Sequence, residues 1–123
     1  MKAPISNFLK NYSGRCTERL HMPGHKGMSF LGIEDHDITE ISGADSLYHA
    51  KGIISESESY ASELFGSAKT LYSTEGSSLC IRAMLCLAKQ YAGCERGFVL
   101  AGRNAHSSFL SAAALLDFDV EWL

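Results

Sequence analysis

Apolar positions fall at helical spacing near the start of the chain, where Pro4 leads into Ile5, Phe8, Leu9 and Tyr12 and Ser13-Gly14 supplies a stop. The pattern predicts a short amphipathic helix. From Leu20 to about Tyr48 the periodicity disappears, and Met22-Pro23-Gly24, Gly27, Gly32 and Gly43 punctuate a long loop rich in His and Asp. Unstructured connections longer than ~12 to 15 residues are uncommon in compact domains and commonly functional, which is the expectation for this one. Ile53, Ile54, Tyr60, Ala61, Leu64 and Phe65 then line one face of a predicted helix whose other face is Ser and Glu, with Gly66 as its C′ residue. Beyond it the pattern predicts a strand near Thr70 to Ser73, a helix from about Ser77 to Tyr91 and a strand at Phe98-Val99-Leu100. A helix from about His106 to Leu116 and a strand over Asp119 to Leu123 complete the order. In the last segment Phe118, Val120 and Trp122 alternate with Asp117, Asp119 and Glu121, the period-two signature of a half-buried strand.

The predicted fold class is therefore α/β, a partial parallel sheet in the order β-α-β-α-β behind a helical and loop-rich N-terminal arm. The arm is expected over residues 1–48 and the α/β part over 49–123. Parallel sheets are normally covered on both faces, and the predicted helices are too few for that, so the sequence reads as the front portion of a larger polypeptide.

Two stretches at predicted strand carboxyl ends, where ligands of such sheets collect, carry the candidate chemistry. In Glu75-Gly76-Ser77-Ser78 a glycine and two hydroxyls stand at a helix start, which suits an anion such as phosphate. Ser77 or Ser78 as a plain helix cap is the alternative. In Arg103-Asn104-Ala105-His106-Ser107-Ser108, Asn104 is a candidate cap. His106 is placed on the rim, as a capping or surface residue or as a group that stacks on a flat ligand or moves a proton. Neither Ser107 nor Ser108 has the G-x-S-x-G context of a hydrolase nucleophile.

Composition narrows the classes. The chain has 123 residues, 46% hydrophobic and 20% charged, which fits one ordinary globular domain. A net charge of -3 with scattered Lys and Arg implies no nucleic-acid or membrane partner. No signal peptide or membrane span is visible, so the cytoplasm is expected. Cys16, Cys80, Cys86 and Cys94 form no C-x-x-C pair and read as buried reduced thiols, Cys80 beside Ile81, Met84 and Leu87 in the helical pattern. His21 and His25 have i, i+4 spacing, but Pro23-Gly24 breaks the helix that would give it meaning, and no metal site is expected. Asp35, Asp37, Glu40 and Asp45 lack an EF-hand register and read as loop carboxylates that meet cations or a basic substrate.

In order, His21-Met22-Pro23-Gly24-His25-Lys26-Gly27, Asp37-Ile38-Thr39-Glu40, Gly43-Ala44-Asp45-Ser46-Leu47, Glu63-Leu64-Phe65-Gly66, Glu75-Gly76-Ser77-Ser78 and Arg103-Asn104-Ala105-His106-Ser107-Ser108 resemble the ornithine/lysine/arginine decarboxylases. These are pyridoxal-phosphate enzymes of the aspartate-aminotransferase fold, fold type I. The resemblance implies the first part of a cofactor-binding major domain. It also implies pyridoxal 5'-phosphate as cofactor, a small basic amino acid as substrate and a homodimer or higher homo-oligomer in the full-length form. It carries the phosphate-holding turn onto Gly76, Ser77 and Ser78, and the catalytic, ring-stacking histidine onto His106. Two positions depart from the family pattern: Glu75 stands where Asn is usual and Ser107 where Lys is usual. The family's Schiff-base lysine sits in a Ser-x-His-Lys motif, a context that Lys26, Lys51, Lys69 and Lys89 lack, so this stretch alone is expected to bind the cofactor poorly, if at all, and not to turn over. The alternatives are a non-catalytic remnant that serves as an interaction or assembly module, or another enzyme of the same fold.

Overall fold

In the computed structural model, which describes residues 2–15, 17–39 and 41–123, the chain divides into two units between Tyr72 and Ser73. Cys16 and Glu40, named above, lie outside the described residues.

In the first unit, Pro4 occupies the first turn of α1 (Pro4–Ser13), where its missing N–H costs nothing, and Gly14 ends the helix. It packs against α2 (Ile53–Phe65), which stops at Gly66 with a left-handed φ of 63°. The intervening loop is aperiodic as expected and contains one short 3-10 turn, Glu34–His36. Polar groups organise this loop. The Arg19 guanidinium pairs with Asp35 at 3.4 Å, donates to the Glu34 carbonyl at 3.3 Å and lies over the Tyr12 ring. The buried Glu34 carboxylate accepts the N–H groups of Leu31, Gly32 and Ile33.

Two expectations for α2 and its exit are corrected. Leu64 and Phe65 are exposed, whereas Glu58, assigned to the polar face, is buried. The reason is that Glu58 accepts the Tyr72 N–H at 2.8 Å, while the Tyr72 hydroxyl sits 2.8 Å from the Ser57 hydroxyl. That tether also explains why the expected strand at Thr70 to Ser73 does not form: the Tyr72 N–H is committed to a side chain, and the segment joins no ladder. The β-α-β-α-β order thus reduces, among the described residues, to one β-α-β unit.

In the second unit, α3 (Gly76–Ala92) is followed by β1 (Gly97–Ala101), α4 (Ser107–Leu115) and β2 (Phe118–Trp122). The strands pair in parallel, with Gly97 opposite Phe118, Val99 opposite Val120 and Ala101 opposite Trp122. The period-two reading of β2 holds: Phe118, Val120 and Trp122 are half-buried and Asp119 and Glu121 exposed. Gly97 permits the pairing, since any Cβ there would run into the Phe118 ring. Leu85 of α3, Ala101 of β1 and Ala112 and Ala113 of α4 form the small buried core. The expectation of buried thiols is corrected: Cys80 is exposed and Cys86 and Cys94 are half-buried, because α3 turns Leu85 inward and leaves the stripe of Cys80, Met84, Leu87 and Tyr91 outside. No helix among the described residues is long and apolar enough to cross a membrane.

Candidate functional site

Helices α3 and α4 pack together, and both start near a shared cavity of about 470 Å³ lined by Ser78, Arg82, His106, Ser107, Ser108, Ser111 and Leu115. The hydroxyls come from the first turn of α3 and the first two turns of α4, the guanidinium from the second turn of α3 and the imidazole from the residue that opens α4.

At α3 the backbone carries the chemistry. Gly76 is the first helical residue and has φ 62°, a left-handed value that only glycine adopts without strain. Glu75 occupies the cap position, yet its side chain makes no bond to the helix start. The Ser73 hydroxyl accepts the Glu75 N–H at 3.3 Å. Neither Ser77 nor Ser78 caps α3, so the capping alternative does not hold, and the first N–H groups of the helix face outward with the positive end of its dipole. Ser78 is half-buried and lines the cavity, whereas Gly76 and Ser77 are exposed in the same turn.

At α4, of the two candidate caps Asn104 and His106, it is His106 that caps the helix. Its Nδ1 accepts the Ser108 N–H at 3.2 Å and lies 2.8 Å from the Ser108 hydroxyl. An extended backbone at φ -65°, ψ 149° places the ring so that it reaches back over the helix start. Since Nδ1 accepts, the neutral ring carries its proton on Nε2, the free edge. The Gly102–His106 segment follows β1 directly, so this half of the site does sit at a strand carboxyl end, while the Glu75–Ser78 half follows irregular chain.

Sequence reasoning missed Arg82. Its Nη2 lies 2.9 Å from the Glu75 carboxylate, so the acid at the mouth of the anion-suited turn faces a cation. The i, i+7 separation, two helical turns on one face, was the signal available in the sequence. The loop histidines are engaged elsewhere: His25 bonds Asp37 at 3.1 Å and accepts the Gly27 N–H, and His21 lies 3.4 Å from the Tyr12 hydroxyl. Of the loop acids, Asp35 and Asp37 meet cationic or ionisable partners, whereas Asp45 accepts four backbone N–H groups, from Ser46, Lys51, Gly52 and Ile54. Among the described residues no group of three His, Cys, Asp or Glu side chains is disposed around a common point.

Hydroxyls, an imidazole and a helix start without a side-chain cap thus meet at one cavity of an α/β chain, a setting chemically suited to an anion. The chain belongs to the Orn/Lys/Arg decarboxylase family: the profile of that family's major domain matches residues 3–121. It is 32% identical to an arginine decarboxylase of Bacillus subtilis (strain 168) over 122 residues, 90% of this chain and 24% of that protein. An arginine decarboxylase of Halalkalibacterium halodurans is 35% identical over 121 residues, 90% of this chain and 24% of the relative. The uncharacterized protein YaaO of Bacillus subtilis (strain 168) is 30% identical over 125 residues, 94% of this chain and 25% of YaaO. The chain thus spans about a quarter of the length of the curated relatives it matches. No solved structure matches it significantly.

Proposed function

We propose that this segment supplies the phosphate- and ring-holding part of a pyridoxal-phosphate-dependent decarboxylase acting on a basic amino acid. The observation that carries the reading is the convergence of Ser78 and His106 on one cavity at the open start of α3, in a chain of this family. The residues fit the cofactor: open N–H groups and the Ser77 and Ser78 hydroxyls suit a dianionic phosphate, and the Glu75 carboxylate that would repel it is paired. When bound, pyridoxal phosphate supplies a conjugated ring that accepts the electrons left as carbon dioxide departs.

The chain's own residues hold and orient. Gly76, Ser77 and Ser78 anchor the phosphate. His106, the catalytic residue in this reading, covers the ring. Its Nδ1 bond to Ser108 stops the imidazole from rotating and leaves Nε2 as its proton-bearing edge. Arginine is the favoured substrate, because two of the relatives above are named for it. A cytoplasmic homo-oligomer is the expected setting. A second reading, an assembly module without catalysis, draws support from large apolar side chains left exposed in the second unit, Tyr91 at 97% among them.

Titration of pyridoxal phosphate into the chain, followed by cofactor absorbance, tests the site. Weak, saturable binding is expected, since the Schiff-base lysine motif is not in this stretch, and it is weakened further, at least about tenfold, by Ser78→Ala and by His106→Ala, as befits the loss of a charge-assisted hydrogen bond or a ring contact. Unaltered binding in both variants overturns the assignment. Carbon dioxide release from arginine, lysine and ornithine by a protein of the relatives' length carrying this segment separates the enzyme from the assembly module.

A further inference from the structure

The anion-suited turn holds one residue that works against an anion. Glu75 stands at the cap position of α3, where a carboxylate is normally drawn onto the free N–H groups by hydrogen bonding and by the helix dipole. A carboxylate bound there would both fill the helix start and repel a second anion. In the structure it does neither, because the side chain makes no cap bond and its Oε2 lies 2.9 Å from Nη2 of Arg82.

That pair has no evident purpose as a stabiliser. Both side chains are substantially exposed, at 38% for Arg82 and 61% for Glu75, and exposed ion pairs contribute little to folding. Its consequence is local: the carboxylate is held off the helix end, and the guanidinium stays on the wall of the cavity that Ser78 and His106 share.

We propose that Arg82 is a positioning residue that clasps Glu75 and so keeps the start of α3 open to a phosphate group. The inference deepens the cofactor reading and rests on it for the identity of the ligand. Arg82 acts through Glu75. Removing Arg82 releases the carboxylate onto the Ser77 and Ser78 N–H groups, and neutralising Glu75 makes Arg82 dispensable.

The test is a cycle of Arg82→Gln, Glu75→Gln and the double variant in the 123-residue chain, read in two ways. Without ligand, amide proton shifts report the helix start directly. Arg82→Gln is expected to move the Ser77 and Ser78 amide signals downfield, with a pH dependence that follows a carboxylate, and the double variant to return them to wild-type positions. With pyridoxal phosphate, Arg82→Gln is expected to weaken binding about tenfold, roughly the size of one strong charge interaction, and the double variant to come within about threefold of Glu75→Gln. Unmoved amide signals in Arg82→Gln overturn the clasp whatever the cofactor does. An equal loss of affinity from Arg82→Gln in both backgrounds also overturns it, by showing that Arg82 acts on the ligand and not on Glu75. A wild-type chain that ignores pyridoxal phosphate while the amide signals behave as stated supports the clasp and overturns the cofactor reading instead.

Discussion

His106 caps α4 through Nδ1 and presents its ring to the cavity, so one side chain combines a structural task with a proposed binding task. The two separate by substitution. His106→Asn keeps a short acceptor at the cap and is expected to hold stability within about 0.5 kcal/mol. His106→Ala loses the cap and about 1 kcal/mol. Both lose the ring, so both bind pyridoxal phosphate more weakly. Urea unfolding alongside cofactor titration checks this, and an Asn variant with wild-type affinity would remove the ring from the site. Cys80 makes a second test at this scale: exposed on α3, it is expected to react with a thiol reagent faster than the half-buried Cys86 and Cys94, as mass spectrometry of a timed alkylation would show. The sequence made residue types at the site legible, Ser78 and His106 included, because helix-start chemistry is local. Arg82 escaped because its role depends on a contact two helical turns away, and the sequence left the cap of α4 between Asn104 and His106 because both have capping chemistry.

At the scale of elements, helices and the final strand were legible because their apolar spacing is a property of a short window, as in Ile5, Phe8, Leu9 and Tyr12 of α1 or Phe118, Val120 and Trp122 of β2. Strand formation at Thr70 to Ser73 was not, since a strand exists only with a ladder partner and the Tyr72 N–H went to Glu58. The start of α2 at Ile53 was legible from the apolar spacing, but its cap was hidden: the Gly52 and Ile54 N–H groups are bound by Asp45, seven residues before Gly52. The Ser46 N–H foremost, with those of Gly52, Ile54 and Lys51, holds the Asp45 carboxyl at about 2, against an ordinary 3.8. The Leu31 N–H leads the set that holds Glu34 at about 2, against 4.5. Both folded-state values are depressed, so the stabilisation is complete above the ordinary values and disappears as pH falls toward 2. Unfolding of the first unit is therefore expected to become easier from about pH 5 downward. Asp45→Asn should flatten that dependence and shorten α2 at its start, measurable by circular dichroism across the acid range. In the second unit, Gly97→Ala forces a methyl group into the Phe118 ring and is expected to cost about 1 to 3 kcal/mol, relieved in part by Phe118→Ala.

At the scale of the whole molecule, each unit has its own kind of interior. Among the described residues the buried side chains of the first unit are those of Glu34 and Glu58, whereas those of the second are Leu85, Ala101, Ala112 and Ala113. The Glu34 and Asp45 carboxylates, held below their ordinary range by backbone N–H groups, make the first unit weaken with acid; apolar burial in the second does not. The second unit carries the other liability, an apolar stripe of Met84, Leu87 and Tyr91 along α3, exposed at 58%, 65% and 97%. Periodicity could not reveal this, because a helical stripe in sequence looks the same whether or not something covers it. Exposed stripes of this kind drive association. Leu87→Lys with Tyr91→Lys is expected to shift the sedimentation of a concentration series toward monomer and to reduce the fluorescence of an apolar dye. Since neither residue lines the Ser78–His106 cavity, pyridoxal phosphate titration should be unaffected. Unchanged sedimentation in the double variant would show that the stripe is inert, and loss of cofactor binding with it would tie that face of α3 to the site.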